Sequence, residues 1–114
     1  MPESPQVATY EDFKKLQLIV ATIVDAQPHP NADKLFVIRL SLGDGSVRQI
    51  VAGIRPYYQP EQLVGRQIVL VANLEPRVIR GVESHGMLLA AQCGDGNVVV
   101  LSPESKVSDG ASVS

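Results

Sequence analysis

The stretch Ala72–Ala91, ANLEPRVIRGVESHGMLLAA, decides how the rest of the chain is read. It leaves one apolar run, Gln67-Ile68-Val69-Leu70-Val71, and enters another, Met87-Leu88-Leu89-Ala90-Ala91. Between the two lies a polar connection with Pro76, Arg77, Arg80 and Gly81. Two predicted strands thus flank a connection free to face solvent and ligand, the usual place for binding groups on a β-scaffold. Asn73, Arg77, Arg80, Ser84, His85 and the Gly86 amide can all donate hydrogen bonds to phosphate or sugar oxygens. No nucleophile and base are placed there for catalysis. Ser84 and His85 are neighbours, and successive side chains of a strand point to opposite faces.

Working outward, upstream alternation supplies more strands. Gln17–Ala26, QLIVATIVDA, is dense in β-branched residues, and Pro28 and Pro30 end it. The turn His29-Pro30-Asn31-Ala32-Asp33-Lys34 follows, with His29 read as structural and Lys34 pointing out as a ligand contact. In Leu35–Leu42, Val37 and Arg39 share one face while Ile38 and Leu40 share the other. Gly43-Asp44-Gly45 predicts a tight hairpin to a partner strand over 46–52. The same parity suggests that Arg39 and Arg48 stand close together on the exposed side of this hairpin.

Short helices punctuate the strands. Thr9 three residues before Asp12 has the form of a capping box, predicting one or two turns through Phe13 and Leu16. Pro60 suits a first helical position and Gly65 a C-cap, predicting a second short helix over 60–64. Of the adjacent Tyr57 and Tyr58, which could stack on bases, at least one is read as core. Downstream, Gly94-Asp95-Gly96-Asn97 predicts another hairpin, Ser102–Ser105 a helical turn, and the end a short extended piece.

The order of three strands, a helix and two strands predicts an all-β domain, a five-stranded oligonucleotide-binding (OB-fold) barrel with short helices. The run Val98-Val99-Val100-Leu101 exceeds the needs of five strands and calls for cover on both faces, so the C-terminal extension is expected to serve dimerisation. Residues 1–9 read as a flexible lead-in and 10–114 as a single domain.

Composition narrows the function classes. With 45% hydrophobic and 19% charged residues, the 114-residue chain has the balance of one soluble domain. It lacks an eighteen-residue apolar run and a signal-peptide pattern, so no membrane partner and a cytoplasmic location are expected. One cysteine, Cys93, rules out an internal disulfide, and His29 and His85 are too far apart in sequence to suggest a zinc site, so neither metal nor cofactor is expected. The net charge of −2 argues against indiscriminate polyanion binding. Its distribution is uneven: residues 30–90 carry seven Lys or Arg against five Asp or Glu, and the acidic excess lies in the two ends.

These residues resemble the tRNA-binding-domain family, found as free-standing structure-specific tRNA-binding proteins and as the appended C-terminal domain of many methionyl-tRNA synthetases. The resemblance covers Tyr10 to the end. It rests on Asp12-Phe13, on His29–Leu35, on Arg48–Ile54, on Gly65-Arg66, and above all on Ala72-Asn73-Leu74 through Gly86-Met87. It implies a homodimer that grips the outside of folded tRNA without reading the anticodon, with a methionyl-tRNA synthetase as a further partner. Asn73, Pro76, Arg77, Arg80, Gly81, Ser84 and Met87 match the family signature, and Lys34 its loop lysine. Two positions depart from it: Glu75 and Val78 stand where relatives carry lysine, which implies weaker binding. The tRNA-binding set is therefore Lys34, Arg39, Arg48, Asn73, Arg77, Arg80, Ser84, His85 and Met87, with Arg55 and Arg66 peripheral. The competing reading is a secretion-chaperone-like dimer that binds polypeptide in apolar grooves.

Overall fold

The computed structural model describes residues 6–114, so residues 1–5 of the expected lead-in lie outside the described residues. The organising strand is β1 (Leu18–Pro28). Its first half pairs antiparallel with β4 (Gln67–Val71), and its second half pairs along the other edge with β2 (Phe36–Ser41). The register shifts between Ile23 and Asp25, a bulge that bends β1 where it exchanges one partner for the other. β2 continues into β3 (Val47–Ala52) through the Gly43–Gly45 turn, giving the order β3-β2-β1-β4 and then β7 (Met87–Leu88).

The curl of this sheet encloses the core. Phe36, Ile23, Ile38, Leu40, Ile50, Ile68 and Leu70 are fully buried inside it. Each contributes roughly 1.5–3 kcal/mol by leaving water. The alternation expected of β2 is observed, with Ile38 and Leu40 inward and Arg39 outward. The end of the barrel is plugged by α2 (Pro60–Leu63), whose Leu63 is completely buried. Pro60 occupies its first turn and Gln59 its N-cap, and Gly65, at φ 92°, turns the chain back so that its N–H donates to Ile23 O.

Closure uses a seam of single hydrogen bonds in place of a continuous ladder. The His85 N–H donates to Gln49 O at 2.9 Å, and the Val51 N–H donates to Ser84 Oγ at 2.9 Å. Beyond β7, β8 (Ala90–Gln92) pairs with β9 (Val98–Val100), and the Val100 N–H donates to Tyr58 Oη. Tyr58 therefore packs on the core while Tyr57 stays exposed. The whole is an OB-like barrel, as the strand order predicts.

The C-terminal segment folds back on its own barrel. β10 (Ser112–Val113) pairs with Leu18 and Ile19 on the edge of β1 that β2 leaves open. The expected helical turn at Ser102–Ser105 is absent, and just beyond it the buried Gln67 side chain holds Val107, taking its N–H and donating to its carbonyl at 3.1 and 2.7 Å. Asp109 Oδ1 accepts from both Thr22 Oγ1 and Gln67 Nε2. At the other terminus Thr9 and Asp12 form the predicted capping box of α1 (Tyr10–Lys14), yet none of its residues is buried.

Candidate nucleic-acid interface

The polar connection read as a loop contains a hairpin of its own. Its arms are β5 (Arg77–Ile79) and β6 (Val82–Ser84), in the register Arg77↔Ser84, Val78↔Glu83 and Ile79↔Val82. The turn between them is only Arg80-Gly81, with φ of 53° and 90°. Positive φ at both central residues is the tight hairpin turn whose twist matches antiparallel strands. Glycine there is therefore demanded by geometry, and Arg80 adopts a backbone conformation that few side chains visit.

This hairpin is docked on the loop between β1 and β2. The Asn31 N–H donates to His29 Nδ1 at 2.9 Å, which leaves the ring proton on Nε2, and that nitrogen donates to Ile79 O at 2.9 Å. Asn31 and Arg80 then exchange bonds: Arg80 Nη2 donates to Asn31 O at 3.1 Å, and Asn31 Nδ2 reaches Arg80 O. His29 is 3% exposed, in keeping with its reading as structural. The loop bearing Lys34 and the turn bearing Arg80 are thereby held as one surface. Among the described residues neither Lys34, Arg77 nor Arg80 has a carboxylate within 4.0 Å, so all three cations remain available to an anion.

The other members of the set have distinct placements. Asn73 is exposed just beyond β4, but its amide ties down the segment between α1 and β1, accepting from the Gln17 N–H at 2.7 Å and donating to Lys15 O at 2.6 Å. Ser84 is buried in the closure seam, accepting from Val51 N–H and donating to Gly86 O at 3.0 Å. Met87, half exposed, lines a groove of about 600 Å³ with Ile54, Leu74, Ile79 and Val98 as apolar walls and Glu75 and Arg77 among its polar groups. His85 pairs with Glu83 at 2.9 Å.

Arg39 and Arg48 do not share a face. The β2–β3 ladder runs without a bulge, placing Arg39 opposite Gln49 and Arg48 opposite the buried Leu40. Arg39 is thus on the outer face, beside Gln49, whose side chain reaches Glu83 O at 3.0 Å. Arg48 is on the inner face at the mouth of the barrel and donates to Ala72 O. Parity within each strand was legible, but the cross-strand offset that separates the two arginines was not. Sequence reasoning also passed over Asn31, Gln49 and Glu83, which hold the hairpin in place; the short, turn-forming side chain of Asn31 was their only signal.

Geometry of this kind defines a class: an OB-like barrel that displays a rigid, cation-bearing hairpin between its fourth strand and the strand that closes it. Residues 18–112 match the family described as a tRNA binding domain, and the chain belongs to that family. It is 51% identical over 108 residues to a methionine–tRNA ligase of Pyrococcus furiosus, an alignment covering 95% of this chain and 15% of that protein. Among solved structures it resembles a MetRS related protein from Pyrococcus horikoshii, with TM-score 0.88 and 33% identity over 96% of this chain and 99% of that one. The chaperone CsaA from Bacillus anthracis is also similar, with TM-score 0.86 and 31% identity over 96% and 100% of the two chains.

Proposed function

We propose that this chain binds folded tRNA by shape, without reading its sequence, and that it does so as a homodimer in the cytoplasm. It works either free-standing or as an appended domain of a methionyl-tRNA synthetase, and it carries no catalytic chemistry of its own. The observation that carries this reading is the docked β5–β6 hairpin, which fixes Arg77 and Arg80 beside the Lys34 loop with no carboxylate of the described residues within 4.0 Å of either. A-form RNA hides its base edges in a deep groove, so rigid donors of this kind meet phosphates and 2′-hydroxyls first. Guanidinium forks suit that role because they can bind phosphate oxygens in pairs. Family membership and the likeness to a MetRS related protein support the same reading.

Self-association is supported by apolar side chains left uncovered. Val99 and Leu101 are exposed at the C-terminal end of the barrel, and α1 turns Tyr10, Phe13 and nearby Leu16 to solvent. Paired copies would cover such surfaces and double the cationic face.

A second reading rests on the groove beside Met87, whose apolar walls suit an extended polypeptide as in the chaperone-like alternative. The test is competition. With labelled tRNA bound, unlabelled folded tRNA should displace it, whereas a reduced, unfolded polypeptide should not. Displacement by the polypeptide alone would favour the chaperone reading.

A further inference from the structure

Across the 72–76 connection from the apolar groove lies a second cleft, of about 540 Å³, lined by Val47, Arg48, Gln49, Ala72, Pro76 and His85. We propose that this cleft is a phosphate subsite in which the Arg48 guanidinium takes one phosphodiester of the bound RNA, with the Glu83–His85 pair at its edge restraining the affinity. The inference rests on the tRNA-binding reading above and gives Arg48, one of the residues expected to bind tRNA, a site of its own apart from the hairpin.

Arg48 occupies a position that calls for an explanation. Its register opposite Leu40 puts it on the inward face, where an aliphatic side chain is the rule, yet it is a half-buried cation. Its bond to Ala72 O fixes one arm of the guanidinium, and among the described residues this is the one hydrogen bond of a group with five N–H donors. No described carboxylate lies within 4.0 Å of it.

The acidic groups of the adjoining cleft are engaged by other partners. Asp44 and Asp109 line a neighbouring cleft on the other side of Arg48. The Asp44 carboxyl is held below its ordinary range mainly by the Ser46 hydroxyl and amide, and Arg48 makes the smallest contribution. Asp109 accepts from Thr22 and Gln67. A charge that is partly desolvated, pre-positioned and without a described carboxylate within 4.0 Å favours an incoming anion.

His85 brings a second nitrogen base to the cleft, but its Nε2 is turned to Glu83 at 2.9 Å. The Gln49 amide is likewise committed, to Glu83 O. Glu83 therefore engages the imidazole and adds negative charge beside the site, while its backbone carbonyl anchors Gln49. Changing only its carboxylate leaves that anchor in place.

The test measures binding of unfractionated folded tRNA between 50 and 200 mM NaCl. Arg48→Met should weaken binding about tenfold at the lower salt and reduce the slope of log affinity against log salt by about one. Glu83→Gln should strengthen binding by about two- to fivefold, a gain that misfolding cannot produce. Glu61→Gln, on α2, is the control for a general change in charge and should leave affinity as it is. The proposal is overturned if Arg48→Met keeps the wild-type slope, or if Glu83→Gln behaves like Glu61→Gln. Loss of binding on Arg77→Ala/Arg80→Ala with none on Arg48→Met removes this subsite alone. A wild-type chain that binds no tRNA takes the functional reading down with it.

Discussion

His29 and Ile79, fifty residues apart in sequence, are joined by a hydrogen bond from the imidazole Nε2–H to the Ile79 carbonyl at 2.9 Å. That bond attaches the β5–β6 hairpin to the loop after β1, so the presentation of Arg77 and Arg80 depends on a side chain that is itself out of reach of solvent. Replacing it with His29→Ala should leave the Ile79 carbonyl and the Asn31 amide without their partner and open a cavity. The expected cost is about 2–4 kcal/mol in urea denaturation, with faster amide exchange at Val78 and Ile79 and weaker tRNA binding.

Ser84 closes the barrel by accepting from the Val51 N–H and is buried. Ser84→Ala would leave that amide unsatisfied, at a cost of about 1–3 kcal/mol. Thermal melting should drop while the salt slope of tRNA binding in the folded protein stays unchanged, since the hydroxyl has no charge to contribute.

Glu75 and Val78 lie on either side of Arg77, both exposed. Changing either to lysine adds a cation to the same face, so each should steepen the salt slope by about one and tighten binding at 50 mM salt. Fluorescence anisotropy with tRNA reads both quantities; an unchanged slope in both variants would place these positions off the RNA-facing surface.

Gly43 lets the C-terminal segment pass close over the β2–β3 turn. A Cβ there would stand 2.5 Å from Asp109 O, and the residue has φ 85°. Gly43→Ala should destabilise the fold by about 1–3 kcal/mol and loosen the segment from Val107 to Val113, visible as faster amide exchange at Gly110. Retention of wild-type stability would show that the segment does not press on the turn.

Local signals made much of this fold legible. The Thr9–Asp12 capping box, the start of α2 at Pro60, the Gly43–Gly45 turn and the alternation of β2 each state their own structure within a few residues, while α2 ends one residue short of expectation, with Val64 in place of Gly65 as its C-cap. The β5–β6 hairpin was not legible, because its strands are three residues long and its turn places arginine where Asn or Gly would advertise it. Nor was the C-terminal clamp, which depends on Gln67 meeting Val107 forty residues away. For the candidate site, residue types in the connection pointed to an anion-binding surface. Which of them are committed to the scaffold was decided by long-range bonds: the Asn73 amide and the Ser84 hydroxyl are engaged there, whereas Arg77 and Arg80 have no carboxylate partner among the described residues.

The most direct measurement is the affinity of the chain for mixed folded tRNA at 50 and 200 mM salt, beside Arg77→Ala/Arg80→Ala. If the docked hairpin grips the sugar-phosphate exterior, wild-type affinity should fall by more than about tenfold across that range. The double variant should keep its fold and lose retardation at both salts. Full affinity in the double variant, with wild-type salt dependence, would contradict the account.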